Sequence, residues 1–349
     1  MINPNFQQMA SQWAYAYERP EISGQIRSTA EDFIVVEKLS FEPSGEGEHV
    51  YLYIQKRELN TLDVVHLLAN LSGVKNNRIS YAGLKDKRAV TTQWFSVLIT
   101  GFPEPDWKLL ESDKIKVTNI VRHNKKLRRG AIRCNQFSIT LRDVNGDLQL
   151  LEERLVNIEQ QGLPNYFGEQ RFGHHYHNLE MVQQLALGQK KEKNRHKRSL
   201  YYSAARSFLF NQVLSQRVSQ ANWNTAINGD VMSLDGSRSF FKPEQNTAEI
   251  MERVKSKDLH PSGPLVGAGE SQALHDALII EQQCLQEFLH WEKWLATEHI
   301  DVNRRALRTL PKAMQWQWSN DNRLQVRFEL PSGTYATSVL REILSYKSC

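Results

Sequence analysis

Several stretches of the chain alternate apolar and polar positions with the period of a strand. Phe33 to Glu37 reads as one, and in 50–55 Val50, Leu52 and Ile54 alternate with Tyr51, Tyr53 and Gln55. Between them Ser44-Gly-Glu-Gly-Glu48 is a turn by composition. From Thr61 to Leu71 the period becomes helical, with Leu62, Val65, Leu68 and Leu71 at turn intervals, Asn60 placed as the cap and Gly73 as the stop. Strand character returns over Trp94–Ile99 and Ile132–Leu141. This half predicts a mixed α+β fold without strict β-α-β alternation.

The middle of the chain differs. Ala204–Val218 and Ala273–Glu298 predict helices, the second carrying Leu274, Leu278, Cys284, Leu285, Phe288, Trp291 and Leu295. Between them His260-Pro-Ser-Gly-Pro264 and Gly267-Ala-Gly269 predict a long surface loop. Leu324, Val326, Phe328 and Leu330 then alternate with Arg323, Gln325, Arg327 and Glu329, and a last helix is predicted from Tyr335 to Tyr346. One strand and one helix cannot make a domain. They are therefore expected to complete the amino-terminal sheet, which makes the helical middle an insertion. No internal repeat or low-complexity tract is present.

Composition narrows the class. Apolar residues make up 40% of 349 residues, enough for two globular domains, and no stretch approaches the roughly 20 apolar residues of a membrane span. Residues 1–20 lack the apolar core of a signal peptide, so a cytoplasmic location is expected. Cys134, Cys284 and Cys349 are widely spaced and form no C-x-x-C pair, which argues against a disulfide framework or a zinc site. The net charge of +5 is modest, but it is clustered. Nine Lys or Arg and no acid lie between Lys114 and Arg142, among them Lys125, Lys126, Arg128 and Arg129. A second block runs from Lys190 to Arg198 and includes Arg195, Lys197 and Arg198; a third spans Asn303–Arg308. Each block alone reads equally as a solvated face. Three together favour a polyanionic partner.

The most informative window is Tyr81-Ala-Gly-Leu-Lys-Asp-Lys-Arg-Ala-Val-Thr-Thr-Gln-Trp94. Gly83 is expected to give the backbone a tight path before the acid. Lys85 and Lys87 flank Asp86, and nearby cations favour its ionised form, which suits a nucleophile or base rather than a general acid. Taken by itself, the same pattern is also that of a charged surface turn.

Other blocks add to this one. Glu31-Asp-Phe-Ile-Val-Val-Glu37, Gly45-Glu-Gly-Glu-His-Val50, Ala82-Gly-Leu-Lys-Asp-Lys87, Asn135-Gln-Phe137, Pro164-Asn-Tyr-Phe-Gly-Glu-Gln-Arg-Phe-Gly173 and Pro331-Ser-Gly-Thr-Tyr-Ala-Thr-Ser338 occur in this order. In these six blocks the chain resembles the TruD family of tRNA pseudouridine synthases over nearly its whole length. The resemblance implies a pseudouridine-synthase-like catalytic domain with a mixed, largely antiparallel sheet, formed by 1–161 and 309–349. It also implies an inserted, helix-rich α+β domain at 162–308. The implied reaction converts a uridine of tRNA, by family analogy uridine 13 of the D-stem, to pseudouridine. Asp86 would be its nucleophile, or the base that starts a glycal route.

By the same resemblance, Phe33 stacks on the target base, Asn135 orients a carboxylate or a uracil edge, and Phe137 walls the pocket. Tyr335 stands where the family has an aromatic, often Phe. Arg27 stands where Lys is common and supplies an active-site cation, and Lys85 lies beside the acid. Plain core packing is the alternative for Phe33. Phe167, Arg171 and Phe172 would open the inserted domain, with Arg206 beginning its first helix, though Phe167 and Phe172 equally suit simple packing. The RNA would lie in a basic cleft between the domains.

No cofactor is called for, and the chain carries no Walker loop, no G-x-G-x-x-G and no H-x-E with C-x-x-C. His174, His175 and His177 invite a metal reading, but their spacing is not that of a helix-face pair, and a polar or phosphate-facing loop fits as well. A monomer is expected. Two other classes fit single features: a noncatalytic RNA-binding protein fits the basic blocks, and a metal-dependent nuclease fits Asp86 with the histidines. The absence of a second carboxylate close to Asp86 in sequence counts against the nuclease.

Overall fold

The alternating stretches of the first half pair with one another. After a short helix α1 (Phe6–Ser11) come β1 (Ser23–Ile26), β2 (Phe33–Leu39) and β3 (His49–Arg57). Helix α2 (Thr61–Ser72) follows, then β4 (Ile79–Tyr81), β5 (Val90–Leu98), β6 (Ile115–His123) and β7 (Ile132–Asn145). Helix α3 (Leu148–Gln161) leads to β8 (Leu163–Pro164), α4 (His177–Ala186), α5 (Arg195–Ser219), β9 (Met232–Leu234), β10 (Phe240–Phe241), α6 (Ala248–Lys255) and β11 (Leu259–Leu265). Next are α7 (His275–Leu285), α8 (Leu289–Thr297), β12 (Asn303–Ala306) and β13 (Arg308–Thr309). The chain ends through β14 (Lys312–Ser319), β15 (Arg323–Pro331), α9 (Ala336–Ile343) and β16 (Ser345–Ser348). This computed structural model describes residues 4–237, 239–245, 247–319 and 322–348; Cys349 lies outside them.

The chain divides into two units. A sheet unit comprises Glu21–Leu151, Pro311–Gly333 and Leu344–Cys349; a helical unit comprises Met1–Pro20, Glu152–Leu310 and Thr334–Ile343. The sheet runs β14-β15-β7-β2-β5-β3-β6, with β4 on β5 and β1 joining β7 to β16. Only β2–β5 and β1–β16 are parallel, so the sheet is mixed and largely antiparallel. As expected, β15 completes the sheet by pairing with β7, Val326 opposite Ile139 and Phe328 opposite Phe137. The expected last helix is shorter, however. It stops at Ile343, and 345–348 turn into a strand beside β1.

Helix α2 has the ends read from the sequence. The Asp63 carboxylate accepts the Asn60 N–H at 2.8 Å, and Gly73 closes the helix in the left-handed region at φ 70°. Val64, Val65, Leu68 and Ala69 pack on Val50, Leu52, Ile54, Phe95 and Val97 of the sheet, whereas Leu62 is exposed. On the opposite face Tyr51, Trp94, Leu127 and Ile132 form a second apolar cluster. Burial on both faces explains why Tyr51, read as the polar side of an alternation, is fully buried.

The helical unit centres on α5. Ala204, Ala205, Ser207, Phe208, Leu209, Phe210 and Asn211 are all buried, which is expected of a helix covered on every side. Arg206 lies in the middle of this helix rather than at its start. Phe6, Trp13, Phe167, Phe172, Phe288 and Trp291 surround it, so Phe167 and Phe172 are core residues of this unit. The helix predicted at 273–298 is broken into α7 and α8 by a turn of 3-10 helix at Gln286–Phe288.

Two expectations from the middle of the chain fail. His260-Pro-Ser-Gly-Pro264 belongs to β11, buried between β9 and β12, because both flanks offer ladder partners that hide its Pro and Gly content. The third basic block is not solvated. Arg304 pairs with Glu281 at 2.7 Å, Arg305 lies 4.0 Å over the Phe167 ring, and Arg308 donates to His260 Nδ1 at 2.9 Å. These guanidiniums satisfy buried carbonyls and an acid, as buried charge must. A further buried pair is bidentate: Arg217 Nη1 and Nη2 donate to Asp230 at 2.7 and 2.9 Å.

Candidate active site

Asp86 lies on the loop 82–89 that joins β4 to β5. Gly83 does not need its conformational freedom: its φ is not positive, and an added Cβ would meet only Ile132 and Lys85 at ordinary contact distance. Buried polar groups of the sheet hold the loop from beneath. Gln93 Nε2 donates to the Gly83 carbonyl at 3.1 Å, the Lys85 N–H donates to Thr61 Oγ1 at 3.0 Å, and Lys56 Nζ donates to the Asp86 carbonyl at 3.0 Å. Lys56 also donates to the Leu59 carbonyl at 2.5 Å and is fully buried. Burial pushes its pKa down to about 8, although Asp86 pulls the other way.

Lys85 does not flank the carboxylate in space. Its ammonium reaches Glu37 at 2.6 Å with both groups buried, and the other Glu37 oxygen accepts the Trp94 N–H at 3.2 Å. The cation on Asp86 is instead Arg27, whose Nη2 donates to Oδ2 at 2.7 Å. Asp86 remains about half exposed, its side chain at 47%. A pair this open contributes little stability, so its consequence is orientation.

Arg27 has φ +58°, a left-handed backbone that a bulky residue rarely adopts and that costs on the order of 1–3 kcal/mol. Its guanidinium lies 4.2 Å from the centre of the Phe33 ring. Phe33 meets Phe137 edge-on at 6.2 Å, and Phe137 stacks on Phe328 at 5.4 Å. Register puts these rings together: Phe33, Val35 and Glu37 of β2 stand opposite Ile139, Phe137 and Asn135 of β7, on one face. The structure therefore gathers Arg27, Phe33 and Asp86 by direct contact and brings Phe137 and Asn135 to the same sheet face. Asn135 Oδ1 and Arg27 Nε are buried without a hydrogen-bond partner, two polar groups available to a ligand.

Tyr335 belongs to the helical unit. Its hydroxyl accepts from Arg171 Nε at 3.0 Å, Arg171 also donates to Ser203 at 3.0 Å, and the ring lies 6.0 Å from Phe167. Among the basic positions, Lys125, Lys126, Arg128 and Arg129 are exposed between β6 and β7, and Arg195 and Lys197 are exposed at the start of α5. Arg198 pairs with Glu298 and donates to the Tyr202 hydroxyl at 2.7 Å. His174 and His175 lie edge to face, 3.9 Å apart, on a turn of 3-10 helix, and His177 faces Glu180 at 3.5 Å. No group of three His, Cys, Asp or Glu among the described residues is placed to hold a metal. Among the same described residues, no helix is long and apolar enough to cross a membrane.

The sequence reading missed Lys56, Thr61 and Gln93, the supports of the loop. A signal existed for Lys56, which continues the inward series Val50, Leu52, Ile54 and so puts a charge on a buried face.

Comparison with known proteins identifies the family. The family model for tRNA pseudouridine synthase D (TruD) matches residues 10–195 and 191–343. The chain is 42% identical over 337 residues to tRNA pseudouridine synthase D of Hydrogenovibrio crunogenus, covering 97% of each. It is 44% identical over 323 residues to the Methylococcus capsulatus protein of the same name, covering 93% of this chain and 91% of that one. A crystal structure from Methanosarcina mazei described as TruD shares the fold, with a TM-score of 0.73 at 22% identity, covering 99% of this chain and 98% of that one. The chain belongs to the tRNA pseudouridine synthase D (TruD) family and is an isomerase.

Proposed function

We propose that the chain converts a uridine of tRNA, uridine 13 of the D-stem, to pseudouridine, and that Asp86 begins the reaction. The observation that carries this reading is the Asp86–Arg27–Phe33 contact: a half-exposed carboxylate oriented by a cation that lies over an aromatic face. The glycosidic bond from N1 to ribose C1′ breaks, the base turns and C5 bonds to C1′; C5 then gives up its proton and N1 ends carrying one, so the product is an isomer of the substrate. Asp86 acts as nucleophile or as base. Phe33, 2% exposed beneath the Arg27 guanidinium, stacks on the extruded uracil once Arg27 is displaced from its ring, offsetting lost stacking by roughly 1–3 kcal/mol, and Asn135 meets a polar edge of the base. The sheet unit holds the chemistry, and the inserted helical domain, together with exposed cations on both units, grips the RNA backbone.

The test incubates an unmodified tRNA transcript with the protein, followed by carbodiimide treatment and reverse transcription. A new stop at the target uridine is expected with wild type. None is expected with Asp86→Asn, which should still bind tRNA. No stop with any tRNA, or near wild-type activity of Asp86→Asn, would overturn the assignment.

A further inference from the structure

We infer that the sheet unit carries a second RNA contact remote from Asp86: a pocket that takes one phosphodiester of the tRNA with its adjoining base against Phe102. The pocket encloses about 340 Å³ and is lined by His49, Lys75, Asn77, Arg78, Leu98, Phe102 and Lys126. It lies where β5 ends at Leu98 and β3 begins at His49. The loop 82–89 enters β5 at its other end, Val90, which puts the two sites roughly 25 Å apart by strand rise.

Three cations converge here, and none of the lining residues is an acid. Among the described residues Lys75, Arg78 and Lys126 form no ion pair, although Arg78 Nη1 donates to the Thr100 carbonyl at 2.8 Å and Lys126 Nζ to that of Asn77 at 3.5 Å. Unpaired cations around a cavity are arranged for an anion brought from outside. The second observation is His49. It is only 8% exposed, it lines the pocket, and its Nδ1 is buried without a hydrogen-bond partner. A buried polar atom of this kind is destabilising until a ligand meets it.

The volume has room for roughly ten waters, more than one phosphate group needs. Phe102 is 39% exposed, with the Arg78 guanidinium 5.2 Å from its ring centre. An exposed aromatic beside a cation is the platform on which unpaired bases stack without sequence preference. Phosphate recognition with an aromatic neighbour fits a nucleotide of an extended RNA better than a free anion.

The proposal rests on tRNA being the substrate. The test measures the Kd for an unmodified tRNA transcript across a salt series, using wild type, Lys75→Ala/Lys126→Ala, Phe102→Leu, and the charge-matched control Lys242→Ala/Lys255→Ala. The pocket double variant is expected to weaken binding about tenfold at 0.1 M salt and to lower the slope of log K against log salt by about 1. Phe102→Leu is expected to weaken binding about fivefold with the slope unchanged. The pocket fails if its double variant binds within twofold of wild type, or if the control loses as much. It also fails if 10 mM inorganic phosphate weakens wild type no more than the pocket variant and so leaves the difference between them unchanged. No tRNA binding by wild type itself would instead sink the substrate reading. Far-UV circular dichroism of each variant confirms that losses are not unfolding.

Discussion

Replacing Lys56 by methionine isolates the cost of a buried ammonium under the candidate catalytic loop. The lysine is fully buried and its pKa is pushed from 10.5 to about 8. That gap corresponds to about 3 kcal/mol. Below pH 8 both folded and unfolded chains hold the proton, and the folded state bears the whole cost. Between about 8 and 10.5 the folded lysine gives up its proton while the unfolded one keeps it, so folding becomes more favourable as pH rises. Above 10.5 the cost is gone. Lys56→Met removes this titration but strands the carbonyls of Leu59 and Asp86, a loss of about 1–3 kcal/mol each that does not depend on pH. At neutral pH the two effects oppose each other, so a single measurement decides nothing. The slope does. Urea unfolding of both proteins at pH 7, 8.5 and 10.5 is expected to show wild type gaining about 3 kcal/mol on the variant across the series. Other titrating groups cancel in the difference. A difference that stays constant from pH 7 to 10.5 would refute the reasoning.

Four further outcomes follow from the geometry. Arg217→Met leaves Asp230 buried without its bidentate partner and should cost about 3–5 kcal/mol, read from the shift in urea midpoint. Asp63→Ala removes the acceptor of the Asn60 N–H at the head of α2 and should cost about 1 kcal/mol in the same assay. His260 must stay neutral to accept from Arg308, and burial pushes its pKa down, so protonation opposes folding. Stability should therefore fall as pH drops below about 6.5, and thermal melts of His260→Gln should lose part of that dependence. A chain truncated after Leu310 lacks β14, β15 and β16, so expression of this fragment should yield aggregated protein; a soluble monomer by gel filtration would contradict the sheet order.

Residues whose local pattern and final environment agree were legible. Asn60, Gly73 and the apolar spacing between them identify α2, and strict alternation identifies β15. The site residues Phe33 and Asp86 came from ordered motifs and Arg27 from its place six residues before Phe33, and their mutual contacts required the fold. What stayed hidden depends on tertiary partners. β6 is an edge strand exposed over much of its length, so it lacks a clear apolar period. β11 reads as turn because Pro and Gly dominate it, yet two neighbouring strands bury it. The charges of Arg304 and Arg308 suggest solvent, but Glu281, Ser262 and His260, distant in sequence, receive them.

The strand order also bears on how the protein leaves the ribosome. β7, fourteen residues long, must wait for β15 to cover one of its edges, and roughly 180 residues separate the end of the first from the start of the second. At about 5–20 residues per second the nascent chain presents that bare edge for roughly 9 to 36 seconds. The intervening helical unit is synthesised in just this interval. A cell making this enzyme therefore has reason to shield β7 until its late partner arrives, and slow translation through 152–310 would lengthen the exposure rather than help folding.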